Sequence, residues 1–113
     1  MNFGISGDRL NKLLPLIAEI RNQRVLDVGC GTGYLGKILR DNGNYVVGID
    51  TNTKDIIKAK KVLDEAYVVN LETDNLNRFQ GKFDFILFSE VIEHLLNPEA
   101  VIKKICKCLK PNG

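Results

Sequence analysis

No apolar stretch of this chain approaches the ~20 residues needed to cross a bilayer, and the N-terminus lacks the charged segment, apolar core and small-residue cleavage site of a secretory leader. The expected compartment is therefore the cytoplasm, and a membrane is not an expected partner. Three cysteines, an odd number, exclude a complete disulfide framework, while Cys106 and Cys108 have neither zinc-ligand nor redox-pair spacing. Charge of either sign is scarce in the balance: a net +2 gives no compositional case for nucleic acid or an anionic surface as main partner, although it leaves nucleic acid open. Repeats and low-complexity linkers are also missing. A length of 113 residues allows one domain spanning the chain, which buries roughly two thirds of the surface its unfolded form exposes.

What the chain does have is concentrated between Val25 and Tyr34, where the apolar run Val25, Leu26, Val28 meets Asp27 and then Gly29, Cys30, Gly31 and Gly33. The apolar residues suit a buried parallel strand, and the glycines permit a sharp turn into a helix at which a ligand can approach bare backbone. Asp27 is the odd member, since a carboxylate in an apolar strand is costly to bury without a partner. A cationic ligand explains it. Cys30 is a small residue filling a tight turn, a reading favoured over catalysis by its thiol.

Further along, Val46–Asp50 reads as a second strand ending in a carboxylate whose two oxygens can accept from a ribose diol, with a helix cap as the plainer reading. Phe83–Phe88 reads as another strand, followed by Ser89, Glu90, Val91, Ile92, Glu93, His94 and Leu95, and the chain closes on Leu109–Gly113. These four segments in this order resemble the motifs of the class I S-adenosylmethionine-dependent methyltransferases. The resemblance implies a cofactor site in which Asp27, Gly29, Cys30, Gly31 and Gly33 hold the amino-acid end and Asp50 the ribose. It places Thr51, Asn70 and Leu71 beside the adenine and completes the rim with Ser89 and Glu90. It also implies a chain that stops at the turn before the fifth strand, so that the fifth to seventh strands of the family are absent and the core is C-terminally incomplete. Methyl transfer to an unidentified acceptor is the expected function. The competing expectation is a catalytically silent cofactor-binding fragment, or a half-domain that needs a partner chain.

Helical spacing of Leu10, Leu13, Leu14 and Ile17 predicts a helix over about Asp8–Ile20, bent at Pro15. The pattern then predicts strands at Arg24–Val28, Tyr45–Ile49, Ala66–Val69 and Phe83–Phe88. Helices are expected at Tyr34–Asp41, stopped by a left-handed Gly43, and after a Thr53 cap, with Ile56, Ile57, Ala59 and Leu63 on one stripe. The last helix opens with Asn97 as cap, Pro98 and Glu99, and buries Val101, Ile102, Ile105 and Leu109. Its lysines Lys103, Lys104, Lys107 and Lys110 read as a solvated face. Alternating strands and helices joined by right-handed crossovers give a Rossmann-like, doubly wound parallel α/β sheet in the order 3-2-1-4. The fourth strand is then an apolar edge opposed only by Asp84, which predicts self-association there.

Two rival site readings remain. Gly31, Gly33 and Gly36 satisfy G-x-G-x-x-G with Asp50 about 20 residues on, the fingerprint of an NAD-binding domain. That fingerprint seats a pyrophosphate at the helix N-terminus, where Asp27 would repel it, whereas S-adenosylmethionine has no phosphate and carries positive charge. Glu90, Glu93 and His94 share one side of a helix and could hold a divalent cation as in some relatives, but a capping or hydrogen-bonded role is favoured over a metal. His94, the single histidine, is the sequence's candidate for a base at the acceptor.

Overall fold

Short runs of β-branched and aromatic residues, each followed by glycine or a capping side chain, set the rhythm of the computed structural model, which describes residues 14–88 and 95–111. Its elements are β1 (Arg24–Val28), α1 (Tyr34–Asp41), β2 (Tyr45–Asp50), α2 (Thr53–Ala59), β3 (Glu65–Val68), a 3-10 turn at Asn77–Phe79, β4 (Phe85–Phe88) and α3 (Pro98–Cys106). The strands form one parallel sheet in the order β3-β2-β1-β4, as the alternation requires.

Period-two alternation divides the core. Leu26, Val28, Val47 and Ile49 face Val101 and Ile105 of α3, with Leu71, Phe79 and Phe83 beside them. Val25, Val46, Ala66 and Leu87 face Leu35 and Leu39 of α1, Ile56 and Ala59 of α2, and Leu63. Asp27 lies opposite Gly48 on β2 and Leu87 on β4, and so shares the α1 face with Val25. Gly43 ends α1 with φ +94°.

Several boundaries differ from the sequence pattern, each for a local reason. Within the expected N-terminal helix the described part is helical only at 14–17, where the Ala18 amide still donates to Leu14 O (2.9 Å); the part from Asp8 to Leu13 lies outside the described residues. Asn52, not Thr53, caps α2, its Oδ1 accepting from the Asp55 amide (3.1 Å). β3 begins one residue early, because Glu65 pairs with Val47. β4 starts at Phe85 rather than Phe83, since Asp84 turns aside: its Oδ2 accepts from the Arg24 amide (2.8 Å) and its Oδ1 pairs with Lys110 (3.1 Å). Phe83 instead forms a parallel bridge with Leu109. The edge beyond β4 is thus partly covered at its amino end, and Asp84 is already neutralised by Lys110. Ile102 and Leu109 are half-buried, and the fully buried position at the end of α3 belongs to Cys108. Two of the lysines expected on the last helix are also not merely solvated: Lys104 donates to the carbonyls of Leu71 and Asp74 (2.6 Å each), tying α3 to the loop after β3, and Lys110, beyond the end of α3, holds Asp84. No helix of the described residues is long and apolar enough to cross a membrane.

At the amino ends of β2 and β3, Glu65 accepts from the hydroxyls of Tyr45 (2.6 Å) and Tyr67 and lies 3.6 Å from Arg24. These bonds, Tyr45's first, hold the Glu65 carboxyl below its usual range, and the same bonds push both phenols above the ordinary 10.0. A raised phenol contributes stability that is whole below pH 10.0 and fades as pH climbs through the folded value; the depressed carboxyl contributes above 4.5 and fades as pH falls through its folded value. Ultraviolet titration is expected to show Tyr45 and Tyr67 ionising late, and Glu65→Gln is expected to bring both back toward 10.0. Identical tyrosine titrations in the two proteins would contradict this network.

Candidate functional site

The chain leaves β1 through three left-handed glycines: Gly29 (φ +73°), Gly31 (φ +55°) and Gly33 (φ +92°). The turn is fastened to the end of β2, not merely adjacent to it. Ile49 O accepts from the amides of both Gly29 (2.8 Å) and Cys30 (3.1 Å), and Asp50 Oδ2 accepts from the Gly31 amide (2.9 Å). The other Asp50 oxygen takes the Asn52 amide (2.9 Å), so one carboxylate orders the glycine loop and the entry to α2 together. Sequence reasoning assigned Asp50 to a ligand or a cap and missed this bridging role. Each oxygen keeps a further lone pair for a hydroxyl, and the residue is half-exposed.

The glycines are not equivalent. An added Cβ at Gly31 would meet nothing within 4 Å, so this is the place where the loop's backbone is open to a ligand. At Gly33, Gly36 and Gly48 the same Cβ would come within 2.8 Å of Val62, 2.6 Å of Leu63 and 2.6 Å of Leu63 respectively. Leu63, 4% exposed, fills a notch made by these three glycines, and Cys30 presses on Gly48 from the loop side (Sγ 2.7 Å from the added Cβ). The available signal was Gly48 itself, since a glycine inside a strand marks close approach of another group. The third glycine of the G-x-G-x-x-G run, Gly36, accordingly serves packing of α1 on the sheet.

Asp27 is fully buried, with Oδ2 on the side of Gly36, 3.2 Å from where that residue's Cβ would stand. It therefore sits beneath the loop. Burial, then the negative charges of Asp27, Asp50 and Asp55, push the Cys30 thiol far above its ordinary 9.0. The thiol stays protonated at neutral pH, which agrees with a packing role.

At the end of β3 the Val69 amide donates to Asp50 O (2.9 Å), which brings Asn70 and Leu71 to the same edge as the glycine loop. Asn70 is exposed and caps its own turn, its Oδ1 accepting from the Glu72 amide (3.0 Å), while Leu71 is buried in the α3-side core. Thr51 is exposed beside Asp50. The structure thus brings Gly29, Cys30, Gly31, Gly33, Asp50, Thr51 and Asn70 to the carboxyl ends of β1 to β3, with Asp27 under them and Leu71 behind. Ser89, Glu90, Glu93 and His94 lie outside the described residues, and among the described residues no group of acidic, histidine or cysteine side chains could hold a metal ion.

An open sheet takes ligands beyond the carboxyl ends of its strands where strand order reverses, here between β1 and β4. The residues fit a ligand with a diol and positive charge: an open backbone at Gly31, spare acceptors on Asp50 and the negative field of that carboxylate, with Asp27 buried close by. A pyrophosphate would find the uncapped N-terminus of α1 at Gly33, but in that same field.

Residues 5–113 match the family model described as a methyltransferase domain. The chain is 32% identical over 115 residues to a ubiquinone biosynthesis O-methyltransferase of Erwinia tasmaniensis, covering 93% of this chain and 47% of that protein. Among solved structures it resembles the PH0226 protein of Pyrococcus horikoshii (TM-score 0.78, 29% identity, 95% of this chain and 54% of the other). It also resembles a TehB-like SAM-dependent methyltransferase of Corynebacterium glutamicum (TM-score 0.75, 25% identity, 95% and 66%). The chain spans about half the length of the curated relatives it matches.

Proposed function

Because the chain belongs to the class I S-adenosylmethionine-dependent methyltransferases, we propose that the carboxyl edge of its sheet binds S-adenosylmethionine and that the protein passes the cofactor's methyl group to an acceptor. The observation that carries this reading is the Asp50 carboxylate bonded to the Gly31 amide, at a loop glycine with empty space before it. When bound, the cofactor supplies an electrophilic methyl on sulfur, displaced in line by the acceptor.

The chain's own residues bind and orient. Asp50 receives the ribose hydroxyls on its remaining lone pairs while keeping the loop in place. The Gly29–Gly33 backbone follows the amino-acid end, and buried Asp27 acts through its field. Thr51 and Asn70 border the adenine with Leu71 packed behind them, and the family resemblance assigns Ser89 and Glu90 to the rim and His94 as the candidate base. The names of the curated relatives point to oxygen as the first acceptor to test.

Asp50→Ala is expected to weaken S-adenosylhomocysteine binding by roughly 1–3 kcal/mol, about 5- to 150-fold, because hydrogen bonds to a charged acceptor are lost. Equilibrium dialysis on a variant with unchanged circular dichroism measures it, and unchanged affinity would remove Asp50 from the site. Binding of S-adenosylmethionine without its conversion to S-adenosylhomocysteine in the presence of any hydroxyl-bearing acceptor would favour a cofactor-binding half-domain over an enzyme.

A further inference from the structure

The opposite, amino-terminal end of the sheet carries a second concentration of chemistry that the cofactor site does not use. A cavity of about 190 Å3 there is lined by Arg24, Arg78 and Lys82, by the single carboxylate Glu65, and by aromatic walls that include Tyr67 and Phe83. The charge is unbalanced, three cations against one anion. Glu65 is moreover committed, accepting from Tyr45 and Tyr67 and pairing with Arg24 at 3.6 Å. Asp84, next to the cavity, is held by the Arg24 amide and by Lys110. Among the described residues neither Arg78 nor Lys82 has an ion-pair partner, and the buried Nε of Arg24 has no hydrogen-bond partner.

The guanidinium groups are also held in place. Arg24 lies over the Tyr45 ring (4.5 Å) and Arg78 over the Tyr67 ring (4.1 Å). Stacking fixes the plane of each guanidinium; Arg24 also faces Glu65 and Arg78 the Tyr67 hydroxyl, and with five N–H donors each group keeps others to meet an oxygen, the geometry in which arginine recognises phosphate and carboxylate. The volume admits one oxyanion with a few waters. We propose that this cavity binds a small oxyanion, the phosphoryl or carboxylate group of a metabolite-sized ligand, independently of the cofactor edge.

The chain has no tryptophan, so tyrosine emission, with Tyr67 in the cavity wall, reports occupancy directly. The full chain is titrated with inorganic phosphate at constant ionic strength. A saturable change is expected with phosphate and not with chloride. Arg78→Gln and Lys82→Gln are each expected to weaken it about tenfold, as loss of one charge-assisted contact does, while Lys58→Gln, at an exposed position of α2, leaves it unchanged. Lys82 is exposed, so its variant keeps the fold and decides the matter should Arg78→Gln unfold. No saturable response, an equal response to chloride, or wild-type affinity in Lys82→Gln would overturn the proposal.

Discussion

Leu63→Ala is expected to lower the free energy of unfolding by roughly 2–5 kcal/mol, toward the upper end of that range. The side chain is 4% exposed and occupies the notch bounded by Gly33, Gly36 and Gly48. Backbone forms much of that notch, and backbone in a sheet and a helix cannot move inward as side chains do, so the cavity left by truncation stays open. The three glycines belong to the loop's end, to α1 and to β2, so a loose Leu63 loosens the seat of the cofactor loop as well. Urea unfolding of both proteins gives the difference. A loss under about 1 kcal/mol would mean that the notch closes. The converse substitution gives a sharper check: Gly36→Ala puts a methyl 2.6 Å from Leu63 Cδ2, and its cost should fall when Leu63 is already alanine, a coupling that a double-mutant cycle reads directly.

Asn44→Ala should cost roughly 2–3 kcal/mol, and Asn44→Asp more than that despite its near-identical shape. Asn44 is buried at the start of β2. Its amide donates to Ile20 O and Leu39 O (2.8 Å each), and its Oδ1 accepts from the Gln23 amide (3.0 Å), joining the entry to β1 to the end of α1. Alanine removes all three bonds and leaves the Gln23 amide without its acceptor. Both carbonyls keep other donors, which is why the estimate is not larger. Aspartate retains the acceptor for Gln23 but aims a buried negative charge at two carbonyl oxygens. Thermal unfolding near neutral pH ranks the variants, and an aspartate variant as stable as wild type would show that this asparagine is solvated and replaceable.

The order of the strands and the bounds of β1 and α1 were legible in the sequence because periodicity and glycine punctuation are local signals. The cap of α2 was not, since Asn52 and Thr53 are both good caps and the choice depends on Asp50 receiving the Asn52 amide. The start of β4 was lost for a long-range reason: Phe83 is as apolar as Phe85–Phe88, but Asp84 turns to the Arg24 amide and Phe83 pairs with Leu109. At the site, residue types pointed to Asp50 and the glycine loop. The face on which Asp27 lies was also readable, because two positions from Val25 it must share that residue's side of the sheet. The amino-end cavity was beyond reach, assembled from Arg24, Glu65 and Arg78, which meet only once the sheet has formed.

Titration calorimetry of the full chain with S-adenosylhomocysteine, and separately with NAD, bears most directly on the cofactor edge. One-to-one binding of S-adenosylhomocysteine, weakened in Asp50→Ala and indifferent to saturating NAD, is the expected result. Binding of NAD with no heat from S-adenosylhomocysteine would contradict it.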